Sequence, residues 1–280
     1  MAERTFLFIT FNEKEREAFL NRLECQGERT FVRGNVVTYG RFGKYDVVYF
    51  HSPYQGSESQ MSVLNVIQSV KPDAVVLAGI ACGANVKNEK QKFGDVLISK
   101  NVIDYDFHKD NNGMTELRGT ITPSGDILFN LFSHHAYYWK KEYGLDYYCG
   151  DIISSTVLLN DPKRKKEIFG LYHDNPIGYE MEGISTFQVC RNENIQQWII
   201  VKGISDFGDG SKHDSFQTVA SENAVSLCHY VFSQEGLNHI PKVEEMIVAD
   251  KAHNFFSDHA QQFDFGKGNR FGNVTINNKR

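Results

Sequence analysis

The chain has 280 residues, a length that suits one large domain or two small ones. Hydrophobic residues make up 41% of it and aromatic residues 13%, which is enough apolar mass for a core and excludes a wholly disordered chain. The net charge of −5 argues against a duplex-DNA binder, which usually presents a basic face. No apolar run approaches the ~18 residues of a membrane span, and the first apolar run, at 6–9, is too short for the core of a signal peptide and has an acidic residue in front of it. We therefore expect a cytoplasmic protein with no nucleic-acid or membrane partner.

Apolar runs and helix-periodic segments alternate along the chain. The predicted elements, in chain order, are a strand at 6–10, a helix at 13–23, a hairpin of strands at 36–39 and 46–50, a helix at 57–71, a strand at 74–80, a strand at 94–99, a helix at 124–141, a strand at 150–159, a short basic helix from 162, a strand-to-helix junction at 177–183, a strand at 198–204 and a helix at 215–232. This alternation indicates the α/β class.

The run at 74–80 is apolar at nearly every position, which is typical of a central strand covered on both faces. It continues into the small residues of 81–84, which allow a ligand to approach the backbone closely. The loop at 207–211 lacks the spacing of a calcium-binding loop, and we expect it to cover a site.

The remaining 45 residues or so, 236–280, are rich in Phe, Asn, Gln and Gly. We expect a folded domain over 1–235 and an appendage over 236–280. The appendage is either disordered, because its apolar content is low, or a docking segment for a protein partner, because 271–276 alternates apolar and polar residues.

Cofactor and metal motifs are missing from the sequence. The five cysteines are widely spaced and form no C-x-x-C pair. There is no dinucleotide-binding glycine motif, no P-loop and no serine-hydrolase elbow. We therefore expect reduced thiols and chemistry that uses no metal and no cofactor.

Carboxylates follow three of the predicted strands. Glu15 comes after the first strand, Glu180 and Glu182 after the strand near 178, and Asp206 after the last strand. Ligands bind at the carboxyl ends of strands in open α/β sheets, so these acids are expected to converge on a polar ligand and to perform acid–base chemistry. The alternative is that each one caps the N-terminus of a helix.

Two of these segments, YEMEG at 179–183 and VKGISD at 201–206, resemble the nucleoside phosphorylase / methylthioadenosine–adenosylhomocysteine nucleosidase superfamily in their order and separation. The small-residue strand exit at 79–83 also fits, and the resemblance spans roughly residues 6–232. It implies a three-layer fold, with a central twisted mixed sheet flanked by helices. It also implies a homodimer or a larger homo-oligomer, and a nucleosidase-like catalytic domain over 1–235.

The resemblance also implies roles for individual residues. Glu182 accepts hydrogen bonds from ribose hydroxyls, and Met181 packs under the sugar. Asp206, set by Ser205, is held protonated in a dry pocket and donates a proton to the purine N7. Leu158 takes the position of a purine-stacking aromatic residue. The remaining substrate-binding residues of the resemblance are Glu180, Gly79, Ile80 and Ala81.

Hydrolysis is favoured over phosphorolysis. A phosphate clamp usually contains arginine, and neither 76–78 nor 11–15 supplies one. Glu15 falls where the nucleosidases carry the glutamate that activates water, and a carboxylate there repels phosphate. Glu13 is the alternative for this base. The expected reaction is hydrolysis of the N-glycosidic bond of an adenine-type purine nucleoside or nucleotide, which releases the free base.

Several alternatives stay open at this point. The substrate is a nucleoside, or a nucleotide such as ATP cleaved in anti-phage defence. A phosphate-dependent phosphorylase and a catalytically silent ligand-sensing or scaffold domain are the competing functions. His108 is a candidate to reach a neighbouring subunit's site. The candidate cations for substrate phosphates are Arg41, Lys44, Lys87, Lys90, Lys92, Lys109 and Arg118.

Overall fold

The structure is a computed structural model that describes residues 4–24, 27, 29–84, 91–111, 114–172, 176–209 and 214–243. The strands are β1 (Phe6–Thr10), β2 (Arg29–Val32), β3 (Asn35–Phe42), β4 (Tyr45–His51), β5 (Ala74–Gly83), β6 (Val96–Asp104), β7 (His108–Asn111), β8 (Met114–Leu117), β9 (Ile121–Pro123), β10 (Tyr147–Ser154), β11 (Gly178–Glu180) and β12 (Gln197–Asp206). The helices are α1 (Glu13–Leu20), α2 (Ser59–Val70), α3 (Asp126–Tyr143), α4 (Pro162–Gly170), α5 (Gly183–Asn192) and α6 (Gln217–Phe232).

Ten strands form one mixed sheet in the order β11-β10-β6-β12-β5-β1-β4-β3-β2, with β9 paired to β6. Strand β11 pairs with β10 and also, antiparallel, with β5. The five strands β5, β12, β6, β10 and β11 therefore close into a ring. This closure matters for function because it brings the residues after β11 beside the ends of β5 and β12. The predicted mixed sheet flanked by helices is confirmed.

The sheet carries a hydrophobic core on each face. On one face the rings of Phe8, Phe19, Phe42 and Phe232 pack together, with helices α1, α3 and α6. The other face is covered by α2 and α5. Burying one such aromatic side chain contributes about 1.5–3 kcal/mol, so the two layers of contacts fix the helices against the sheet.

The first compact unit of the structure extends past the predicted boundary at 235 and continues to Val243. Leu237 and Ile240 are fully buried in the core with α3, and the backbone N–H of Val243 donates to Asp73. The residues after 235 were not predicted to join the core because this segment is short and has no periodic pattern. The rest of the predicted appendage, 244–280, lies outside the described residues.

Several element bounds differ from the predictions. Helix α1 ends at Leu20 rather than at residue 23, and the strand predicted at 150–159 is β10, which ends at Ser154. The polar hairpin β7–β8 and the short strands β2 and β9 were not predicted, because half-exposed polar strands carry no apolar alternation. In the part of the chain that the structure describes, no helix is long and apolar enough to cross a bilayer.

Candidate active site

A cleft opens at the carboxyl ends of β1, β5, β11 and β12. Nine of the ten residues predicted for the site line it, namely Glu15, Ile80, Ala81, Leu158, Glu180, Met181, Glu182, Ser205 and Asp206. The tenth, Gly79, lies directly behind the Glu15 carboxylate. The three separate groups of acids therefore come together in one place, because the parallel strands end at the same edge and the ring of strands closes.

Glu15 is buried and firmly held. Its Oε2 accepts hydrogen bonds from the backbone N–H groups of Phe11 (2.7 Å) and Asn12 (3.1 Å). Its Oε1 accepts one from Ile80 N (2.8 Å). Glu15 is the third residue of α1 and forms a capping box with Asn12, so the expected capping role is present. The same carboxylate also faces the cleft, because Oε1 reaches across to β5.

The side chains of Glu180 and Glu182 have different partners. The Oε2 of Glu180 accepts hydrogen bonds from the backbone N–H groups of Glu182 (3.0 Å) and Gly183 (2.9 Å), and its Oε1 accepts one from Gly183 N–H (3.0 Å). Glu180 therefore orders the helix N-terminus. Glu182 makes no capping hydrogen bond, and its Oε2 lies 3.4 Å from the ammonium of Lys202. Among the described residues, no group donates a hydrogen bond to Oε1 of Glu182, so this oxygen is available to accept one.

Lys202 is fully buried beneath the cleft, and sequence reasoning assigned it no role. Its Nζ lies 3.4 Å from Glu182 Oε2 and 3.7 Å from Glu15 Oε1, so one ammonium serves two carboxylates. Burial acts to lower the pKa of Lys202, but the charges of Glu15 and Glu182 outweigh it and the pKa is raised. Burial also raises the pKa of Glu182, and Lys202 offsets part of that rise. The available signal was a lysine inside an otherwise apolar strand.

Asp206 stands at the opposite end of the cleft. Its Oδ1 accepts the backbone N–H of Gly208 (3.0 Å), and its Oδ2 lies 3.1 Å from the hydroxyl of Ser205. The Ser205 hydroxyl also lies 3.5 Å from the carbonyl oxygen of Ala81. The neighbouring thiol of Cys82 has its pKa raised to about 12 by burial, so it is neutral. The carboxyl group of Asp206 is thus oriented from two sides.

Apolar groups cover the space between these acids. Leu158 is half-exposed at the mouth of the cleft, and Leu159 is buried beside it. Met181 and Ile80 line the floor near Glu182 and Glu15. The aromatic side chains that line the cleft are those of Phe11 and Tyr179. Among the described residues, no group of three His, Cys, Asp or Glu side chains is arranged to hold a metal ion.

Some candidate residues lie outside the cleft. Glu13 is exposed and pairs with Arg16, so the geometry favours Glu15 over Glu13 as the base. Arg41 and Lys44 pair with Asp46 and Glu235 on the surface. None of the described candidates among the predicted phosphate-binding cations lines the cleft. His108 stacks on Tyr105 in a neighbouring pocket. Lys87 and Lys90 lie outside the described residues.

The chain belongs to the phosphorylase superfamily, whose sequence profile matches residues 5–233. Over 192 residues it is 30% identical to the ATP nucleosidase Cap17 of Escherichia coli. The aligned region covers 58% of this chain and 36% of that protein. The chain thus spans about a third of the length of this relative. Over 198 residues it is 26% identical to the 5'-methylthioadenosine/S-adenosylhomocysteine nucleosidase of Haemophilus influenzae, covering 71% of this chain and 84% of that one.

Solved structures share the fold. The 5'-methylthioadenosine/S-adenosylhomocysteine nucleosidase of Neisseria meningitidis, in complex with methylthio-immucillin-A, superposes with a TM-score of 0.70 at 20% identity, over 82% of this chain and 99% of that one. The futalosine hydrolase of Helicobacter pylori superposes with a TM-score of 0.68 at 18% identity, over 81% and 97%. At these identities the likeness concerns the fold.

Proposed function

We propose that this protein hydrolyses the N-glycosidic bond of an adenine-type purine nucleoside or nucleotide and releases the free base. The observation that carries the proposal is the pairing of Glu15 and Glu182 around one buried lysine, with Asp206 across the same cleft. The relatives named nucleosidases support the same reaction class.

The leaving base needs a proton. Asp206 donates it to N7, so that the base takes up the electron pair of the breaking bond and leaves as a neutral purine. Gly208 N–H and the Ser205 hydroxyl hold the carboxyl group in position for this transfer. The sugar meanwhile develops positive charge, as in other glycoside cleavages.

The sugar side of the cleft is built to receive that charge. Glu182 accepts the ribose hydroxyls through its free oxygen, and Met181 packs against the ring. Glu15 takes one proton from water, whose oxygen forms the new bond to C1′. Glu15, Glu180 and Glu182 line the cleft against one buried ammonium, so these carboxylates outnumber the cation and favour a developing positive charge.

The same charge pattern disfavours phosphate as the nucleophile. Phosphorolysis needs cations that clamp the anion. Lys202 lies near Glu15, but it is fully buried and shared between two carboxylates. Among the described lining residues of the cleft there is no arginine and no further lysine. A phosphate there would meet Glu15 at close range, so water is the expected nucleophile.

The proposal also concerns whether the substrate is a nucleoside or a nucleotide. The ATP nucleosidase relative favours a nucleotide, while the methylthioadenosine/adenosylhomocysteine nucleosidases favour a nucleoside. For a nucleotide substrate, we propose a role in anti-phage defence. We propose an assembly of two or more copies in the cytoplasm, with residues 244–280 available to a protein partner. Size-exclusion chromatography with light scattering tests the assembly.

Free-base release tests the reaction. Adenosine, methylthioadenosine, AMP and ATP are each incubated with the protein, with and without inorganic phosphate, and the products are separated by chromatography. We expect adenine without phosphate, and a rate that phosphate does not increase. Release that requires phosphate would establish a phosphorylase instead. No release from any purine nucleoside or nucleotide would support a silent binding domain.

A further inference from the structure

Helix α4 sends one of its four consecutive cations inward. Lys163, Arg164 and Lys166 are exposed, whereas Lys165 is partly buried against the ends of two strands. The Nζ of Lys165 donates to the carbonyl oxygen of Gly83, the last residue of β5, at 2.6 Å. It donates equally to the carbonyl oxygen of Phe207, the residue after β12, also at 2.6 Å. One ammonium thus ties together the two strand ends at the base side of the cleft.

The peptide group between Phe207 and Gly208 connects this lysine to Asp206. Its carbonyl oxygen accepts from Lys165, and its N–H donates to Asp206 Oδ1 at 3.0 Å. Hydrogen bonds arranged in series polarise one another, and a cation on the carbonyl makes the N–H a stronger donor. The chain from ammonium through peptide to carboxyl is continuous.

Packing fixes this peptide in place. Gly208 adopts a left-handed conformation (φ +59°), and a Cβ there would lie 3.2 Å from Cys82 Sγ and 3.2 Å from the Leu159 carbonyl oxygen. The ammonium of Lys165 also lies 5.6 Å from the ring centre of Phe207 and 5.5 Å from that of Phe169. Such cation–π contacts further stabilise the Lys165 ammonium in this position.

We propose that Lys165 is a positioning residue that acts on base protonation through the Phe207–Gly208 peptide. It fixes the Gly208 N–H on Oδ1 of Asp206, and it stabilises the carboxylate that remains once the proton has passed to the purine. This inference rests on the proposed function, because Asp206 is the proton donor of that reaction.

The charged surroundings agree with this role. Burial lowers the pKa of Lys165, and the groups that oppose this are Cys82 on β5, Asp206 at the end of β12 and Asp209 in the loop that follows. Cys82 is neutral, since burial raises its pKa to about 12. Lys165 is therefore the cation that faces the developing negative charge on Asp206, with Asp209 as the other acid nearby.

Lys165→Met tests the proposal, because methionine keeps the length and loses the charge. We expect kcat for adenine release to fall about tenfold or more, with KM within about twofold. We also expect the basic limb of the pH–rate profile to move to higher pH, because the acid holds its proton more tightly without the cation. Lys165→Arg should recover part of kcat, and the exposed neighbour variant Lys166→Met should match the unsubstituted protein.

A merely structural role gives a different result. The proposal would be overturned if Lys165→Met lowered kcat together with the melting temperature and left the pH profile unshifted. It would also be overturned if Lys165→Met left kcat unchanged. Amide hydrogen exchange at Gly208 is the readout that does not depend on turnover, and we expect it to be about tenfold faster in Lys165→Met. Absence of base release by the unsubstituted protein would overturn the proposed function, while unchanged exchange at Gly208 would overturn the positioning by Lys165.

Discussion

The carboxylate of Glu15 occupies the space that a side chain at Gly79 would need. A Cβ built on Gly79 overlaps Oε1 of Glu15, and the next residue of β5, Ile80, donates its N–H to that same oxygen. The glycine and the glutamate therefore form one unit, although 64 residues separate them in the chain.

Gly79→Ala is expected to displace Glu15 from its hydrogen bonds and to lower kcat for base release by at least a hundredfold, the scale of a lost general base. The matched control is Gly170→Ala, because a Cβ at Gly170 meets no atom within 4 Å. Steady-state kinetics on both variants checks this. Equal activities would show that Glu15 does not act as the base.

Asp206→Asn is expected to abolish base release, a loss of about a hundredfold to ten-thousandfold in kcat, because an amide cannot give its proton to N7. The fold should persist, since the asparagine oxygen can still accept the Gly208 N–H. Product chromatography checks the loss of base release, and circular dichroism checks that the fold persists. The exposed variant Asp46→Asn is the control, and near-normal turnover by Asp206→Asn would remove it from the proton-donor role.

Lys202→Met leaves two buried carboxylates without their cation. We expect the free energy of unfolding to drop by about 3–5 kcal/mol, the usual cost of breaking a buried ion pair from one side. Urea unfolding measures this change, and base-release assays at a temperature where the variant is folded measure kcat. The control is Lys14→Met, whose ion pair with Glu17 is exposed and contributes little. A small loss for Lys202→Met would mean that water solvates the two carboxylates.

Glu182→Gln is expected to flatten the pH dependence of stability. Burial raises the pKa of Glu182 above its ordinary value of 4.5, so the folded protein holds this proton more tightly than the unfolded chain. Between the ordinary and the raised value, the free energy of unfolding therefore falls as the pH rises. Glutamine removes this contribution. Urea unfolding at several pH values, with exposed Glu167→Gln as the control, checks the slope.

Leu158→Phe is expected to lower KM for adenosine severalfold, because an aromatic ring stacks on a purine better than a leucine does, by about 1 kcal/mol. Leu158 lines the cleft and is half-exposed, so the larger ring has room. The exposed variant Val219→Phe is the control for added surface area. An unchanged KM would place the base elsewhere in the cleft.

Much of this protein is determined by the sequence itself. The apolar run 74–80 predicts the central strand, which the structure bears out. The acids after three strands predict a polar site at one sheet edge, and in the structure these acids line one cleft. Such local signals work because a buried strand must be apolar on both faces, and because strand ends are where backbone and ligand meet.

Only the tertiary structure decided which of these side chains contact one another in the cleft. The pairing of β11 with β5 brings Glu182 to Glu15, and the buried position of Lys202 joins the two, although no local pattern marks either contact. In the sequence, Lys165 is one of four consecutive cations with nothing to distinguish it. Only the folded structure places its ammonium on the carbonyl oxygens of Gly83 and Phe207, next to Asp206. The physical reason is that hydrogen bonds and ion pairs depend on distances between residues far apart in the chain, which are fixed when the sheet closes and its two cores form.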